Sequence, residues 1–380
     1  VQNFWKVSNF NKHMKKYSFL LIAFYVAFLV SCNSNKNENP ADRFDRKAML
    51  ENYAQNLIKP TFLDLQTTTN QLKTAADNFV ANTDSMQLVA LQNAWTSAYI
   101  AWQYANAYNF GPASEQGLRK SLTEEIATFP ISESKIANAI QNGANFNDFN
   151  RDARGFLAVE FLIFDVAKDN QRIITDFAAQ NRKDFLAGAV NDIKSRVDAV
   201  VTAWTGNYYN DFVNNTGTDV GSSTSQLYNE FLKSFESIKN FKIELPLGMR
   251  TGQTQTEPQR LEAYYSGKSL EMIEHHLKAI ENIYYGKRKT GEDGVGFIEY
   301  LKSVEGGNEL VNRTETQWSS VKGAFNNVPN TTALSQQINN NTTTELKNLR
   351  DEIQKHTRFF KSDMSSLLGI AITYSSGDGD

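Results

Sequence analysis

The sequence predicts an all-α protein built as two tandem helical bundles, and three observations carry that expectation. Apolar residues recur at three- and four-residue steps through most of the chain. Alternating runs rich in Val, Ile and Thr, the mark of strands, are nearly absent. A stretch dominated by Gly, Ser, Thr and Asn, 214–225, separates two helical halves. The 380 residues are 41% hydrophobic and 21% charged, a globular balance with apolar mass for a large core. The expected division is a first bundle over 44–212, a linker over 213–225 and a second bundle over 226–380.

The first 43 residues read as an address and a tether. Met14-Lys15-Lys16 is a basic start, Tyr17 to Val30 an apolar run, and Leu29-Val30-Ser31-Cys32 fits a lipobox. Residues 1–13 precede a good start Met and are expected to be a mis-called start, which makes 1–31 an upstream extension plus signal peptide. The apolar run is short for a spanning helix. Cys32 is the single cysteine, so its lipidation would exclude disulfides and thiol chemistry. Residues 32–43 then form a polar, Asn-rich tether holding the protein to a membrane. Asn33 after the cysteine favours the outer membrane, on its periplasmic or surface face. Net charge is −3, and losing the four lysines of residues 1–31 takes it to −7, which leaves no footprint for nucleic acid.

Taken in order, Asp42 to about Val80 is helical, with Phe44, Leu50, Tyr53, Leu57, Phe62, Leu65 and Leu72 on one face. Asp84-Ser85 caps the next helix, whose aromatic stripe of Trp95, Tyr99, Trp102 and Tyr108 reads as core and stops at Phe110-Gly111-Pro112. Residues 119–149 read as short helices around Phe129-Pro130 and an Asn-rich loop. Gly155 to Asp165 is nearly all apolar, which suits a helix buried on every side. One long amphipathic helix is expected over Asn170 to Trp204. Beyond 225 come helices over Gln226–Ile243, Leu270–Tyr284 ending at Gly286, Asn308–Phe325 and Thr332–Phe360.

The central apolar helix carries one carboxylate, Glu160. A buried carboxylate is costly unless paired, hydrogen-bonded or bound to metal. Its expected partner is an arginine such as Arg151 or Arg154, or else a metal ion. Asp378 and Asp380, at the acidic C-terminus, are candidate oxygen donors alongside it, and oxygen donors suit calcium, magnesium or ferric iron. The four histidines offer little. His13 falls in the signal, His275 and His276 point to different helix faces, and His356 lies on a polar stretch, all read as exposed or peripheral. No His-Glu-x-x-His, P-loop or Gly-x-Ser-x-Gly motif occurs.

Several stretches together resemble the imelysin family of bacterial envelope proteins, from about residue 45 to the C-terminus. They are Trp95-x6-Trp102 leading to Phe110-Gly111-Pro112, Gly155 to Phe164, Leu245-Pro246-Leu247-Gly248, Glu262 to Gly267, and Asp378-Gly379-Asp380. The resemblance implies two helical bundles with a site near their interface, around a Gly-x-His-x-x-Glu motif. Here Gly155 and Glu160 keep that motif, but its histidine position is Leu157. The family's Arg in the Trp-rich helix corresponds to Tyr99, and its Glu before the Phe-Gly-Pro turn to Asn106. The implied cleft is therefore lined by Tyr99, Trp102, Asn106, Gly155 and Leu157, with Glu160, Asp378 and Asp380 as the possible metal or ligand donors.

Without the motif histidine the expected function is binding rather than catalysis. The protein is expected to be an envelope lipoprotein tied to iron, other metal or haem uptake, with iron or another metal ion as possible cofactor. Its partners would be the membrane, a metal, haem or glycan ligand, and an outer-membrane uptake partner. Two alternatives stand beside it, a metallopeptidase of the imelysin family and an adaptor subunit of an outer-membrane assembly.

Overall fold

The structure, a computed structural model, describes residues 44–374. The first helical rod runs from α1 (Arg46–Asn52) through a π-helical turn (Tyr53–Ile58) into α2 (Lys59–Ala81). It is followed by α3 (Ser85–Ala105), α4 (Leu122–Ile126), α5 (Glu133–Asn142) and α6 (Gly155–Ile163). Next come α7 (Asn170–Asp176), α8 (Gln180–Thr205) and α9 (Tyr208–Asn214). The remainder comprises α10 (Ser223–Ser237), α11 (Ser269–Tyr285), α12 (Phe297–Lys302), α13 (Gly307–Asn327), α14 (Leu334–Asn339), α15 (Thr344–Arg358) and α16 (Ser365–Leu368). Among the described residues there is no strand, and no helix is long and apolar enough to cross a membrane. The protein is all-α.

Packing groups the helices in a way consistent with two bundles. α2 packs on both α3 and α8, with α6 against α3 and α8; α13 and α15 pair in the second half. The halves touch closely, α11 against α3 and α10 against the 3-10 turn Asn106–Tyr108, and the chain from Phe44 onward clusters as one compact unit. The Gly- and Ser-rich stretch is not all loop: Ser222–Ser225 are buried, and Ser222 caps α10 by accepting from the Ser225 N–H. A Ser cap relieves one of the unpaired N–H groups that open a helix, so this composition is used to start α10.

The expected single helix over Asn170–Trp204 is two. α7 stops at Asp176, Phe177 turns inward onto Phe79, and α8 starts afresh at Gln180. Thr332–Phe360 likewise breaks between α14 and α15, where Asn341 takes φ +56. Periodicity alone missed both breaks because the apolar register resumes in phase after each turn.

Candidate functional site

The site rests on α6 and the aromatic stripe of α3. Trp95 and Tyr99 stack at 5.0 Å, Trp95 Nε1 donates to the Phe156 carbonyl at 2.8 Å, and both rings are fully buried. The start of α6 needs glycine. Gly155 has φ +74, and a Cβ there would lie 2.4 Å from the Ile126 carbonyl oxygen. Leu157 lies in the core of this helix, one turn before Glu160.

Glu160 is fully buried, and its Oε1 accepts the Ser266 backbone N–H at 2.7 Å while Oε2 has no partner. The expected ion pair with arginine is not there. Arg154 pairs with Glu125 and Asp192, Arg151 pairs with Glu124, and Glu160 makes no ion pair among the described residues. The arginines precede Gly155, and the sharp turn there sends them away from the helix face that carries Glu160. Burial pushes the Glu160 carboxyl up to about 7, with the nearby Glu262 adding to the rise and the Ser266 bonds opposing it.

The loop that supplies the Ser266 N–H also supplies a second acid. Ala263 takes φ +55 and lets the chain double back, so that Glu262 faces a buried lysine. Lys242 Nζ stands 2.7 Å from Glu262 Oε2 and donates to Gln103 Oε1 at 2.6 Å. Tyr99 donates its hydroxyl to Glu262 Oε1 at 2.7 Å, and Gln103 Nε2 does so at 3.3 Å. Burial pushes the Tyr99 phenol well above its ordinary range, reinforced by the Glu262 charge, so Tyr99 remains a donor. Burial also lowers the Lys242 ammonium, against the pull of Glu262.

Sequence reasoning gave Lys242 and Gln103 no role, and missed His276. Lys242 lies in a π-helical segment, Ile238–Glu244, where i→i+5 bonding shifts the side-chain phase from a 3.6-residue repeat. His276 is fully buried, not peripheral, with Nε2 2.7 Å from Ser234 Oγ; burial, and then the Lys242 charge, keep it well below its ordinary range. His275 is half-buried against the Tyr104 hydroxyl at 3.2 Å. His356 is also buried, among Phe235, Trp318 and Phe360, and burial lowers it to about 3.

A cleft of about 440 Å³ opens onto this network, lined by Trp102, Asn106, Ser234, Phe241, Lys242 and Glu262 among others. Of the residues expected around a cleft, Trp102 and Asn106 therefore line it. Tyr99 lies behind it, bonded to Glu262, while Gly155, Leu157 and Glu160 are core residues one layer deeper. Asp378, Asp380 and Cys32 lie outside the described residues.

The donors around Glu160 and Glu262, among the described residues, do not form a set that suits a bare metal ion. Among the described residues no three His, Cys, Asp or Glu side chains converge. Leu157 offers no electron pair, and the charge of Glu262 is already met by an ammonium at ion-pair distance. The Ser234 hydroxyl lies within hydrogen-bond reach of both Asn106 Oδ1, at 3.2 Å, and His276 Nε2, at 2.7 Å. His276 Nδ1 has no orienting partner.

The described residues thus form an all-helical body in which the helix opened by Gly155 carries a buried Glu160 close to the Lys242–Glu262 pair. The sequence model of the family Imelysin matches residues 58–357, and the chain belongs to that family. It is 21% identical over 252 residues to iron-regulated protein A of Synechococcus elongatus, an alignment covering 64% of this chain and 65% of that relative. The chain thus spans just under two thirds of that relative's length. A structure of a candidate iron-regulated protein A precursor from Parabacteroides distasonis superposes with TM-score 0.70 at 17% identity, over 85% of this chain and 95% of that one. An imelysin-like protein from Psychrobacter arcticum gives TM-score 0.67 at 18% identity, over 87% and 97%. These two likenesses show the shared fold.

Proposed function

We infer that this chain is a non-catalytic binding protein of the cell envelope, anchored through lipidated Cys32, that serves iron uptake. Its ligand enters the cleft above Lys242 and Glu262 as haem or as a metal already held in a chelate. One observation carries this reading: the cation position beside Glu262 is filled by Lys242, and hydrogen bonds from Tyr99 to Glu262 and from Lys242 to Gln103 hold the pair in place. The relationship to iron-regulated protein A supplies the direction, iron. The aromatic and polar lining, Trp102 and Phe241 beside Asn106 and Lys242, suits an organic ligand with a polar edge.

Calorimetry on the purified protein, with haem, ferric citrate, ferrous and zinc salts and a maltooligosaccharide, tests the reading. Haem or ferric citrate is expected to bind at micromolar concentration, and Phe241→Ala, at an exposed cleft position, is expected to weaken it. Binding of the bare salts alone would overturn the chelate reading, and no binding at all would overturn the cleft. Chelator-sensitive cleavage of an unfolded protein would favour a metallopeptidase instead.

A further inference from the structure

A second cluster of charge contributes no residue to the lining of this cleft. Glu125, fully buried, meets Arg119 at 2.8 Å, Arg154 at 3.2 Å and Arg196 at 3.6 Å. Asp192 closes the cluster, pairing with Arg154 and with Arg196 at 3.1 Å. Three guanidinium groups against two carboxylates leave one positive charge over. Arg119 and Arg196 expose about a quarter of their side chains to water, but Arg154 exposes 2%. Arg154 Nε and Nη1 are buried without a hydrogen-bond partner. An arginine so placed is costly, because it keeps its charge and its donors have lost water without gaining an acceptor.

Arg154 also lines a cavity of about 430 Å³ between α5, the 143–150 loop and α8. The remaining lining suits a small anion. Ser134, Asn138 and Asn145 offer neutral donors, Lys135 adds an ammonium shared with Asp152, and Phe146 and Phe185 form an apolar wall. Asp148 is the one carboxylate on the lining, and it is exposed to solvent.

We propose that the Arg154 cavity is a binding site for a small oxyanion, a carboxylate or phosphate group, independent of the Lys242–Glu262 cleft. The anion accepts from Arg154 and from the amide side chains of the cavity, and its charge balances the excess of the arginine cluster.

The test is thermal unfolding and calorimetry of the whole protein with sodium phosphate and sodium citrate, against sodium chloride at equal ionic strength. The wild type is expected to be stabilised by phosphate, citrate or both beyond the chloride control. Stabilisation by phosphate alone would assign a phosphate group, and by citrate alone a carboxylate. Asn145→Asp places a negative charge on the exposed cavity loop while keeping the oxygen that accepts the Asn147 N–H. That variant is expected to fold as the wild type does and to lose affinity about tenfold or more. Arg154→Lys, which keeps the charge but loses the planar donors, is expected to lose affinity as well. No effect beyond chloride, or an effect unchanged in Asn145→Asp, would overturn the site.

Discussion

Lys242 Nζ lies 2.7 Å from Glu262 Oε2, and both side chains are 97% shielded from water. The pair joins a π-helical segment after α10 to the loop before α11, and Tyr99 and Gln103 tie both partners to α3. Two buried charges have exchanged water for each other and for two neutral side chains.

Removing one partner should therefore cost far more than removing both. Lys242→Met is expected to destabilise by about 3–5 kcal/mol, because Glu262 is left charged and dry. Lys242→Met with Glu262→Gln should recover much of that loss. Urea unfolding of the two single variants and the double variant measures it, and simple additivity would show that the pair is not coupled.

Glu160 makes stability fall as pH rises. Its carboxyl is held at about 7 in the fold, against an ordinary value of 4.5. Between those values the unfolded chain releases a proton that the folded chain retains, so ionisation favours unfolding until the curve levels above pH 7. At about 1.4 kcal/mol per unit the penalty reaches roughly 3 kcal/mol. Glu160→Gln should thus gain on the wild type by about that amount from pH ~5 to pH ~8, as chemical denaturation would read out. A difference that stays level across this range would mean that Glu160 is ionised throughout.

Gly155→Ala should cost about 2–4 kcal/mol. The positive φ and the approach of the Ile126 carbonyl both oppose a Cβ. A fall in melting temperature with the helical circular dichroism retained is the expected signature.

Leu157→His restores the residue type the family motif carries. It is expected to destabilise by about 1–3 kcal/mol, because an imidazole enters an apolar site. It should leave zinc and ferrous iron unbound, since Lys242 still occupies the charge of Glu262. Calorimetry that found tight zinc binding in this single variant would show that Leu157 alone had closed the site to metal.

How far the sequence determined this protein differs between fold and site. Helical periodicity, the Asp84 cap, the Gly286 stop with φ +66 and the lack of strand patterns made the all-α fold legible. These are local signals, decided within a few residues. Gly155 and Glu160 stood out for the same reason, a glycine and one acid bracketing an apolar run. The partners of Glu160 were not legible. Its bond comes from the backbone of Ser266, 106 residues away, and a backbone N–H carries no mark in a sequence. Lys242 drew no attention and His276 read as peripheral, because polar side chains usually lie at the surface, and only the π-helical phase shift and the packing of α10 and α11 against α3 and its terminal turn bury them. Patterns of polarity set which helices form, whereas long-range packing decided which charges are taken out of water together.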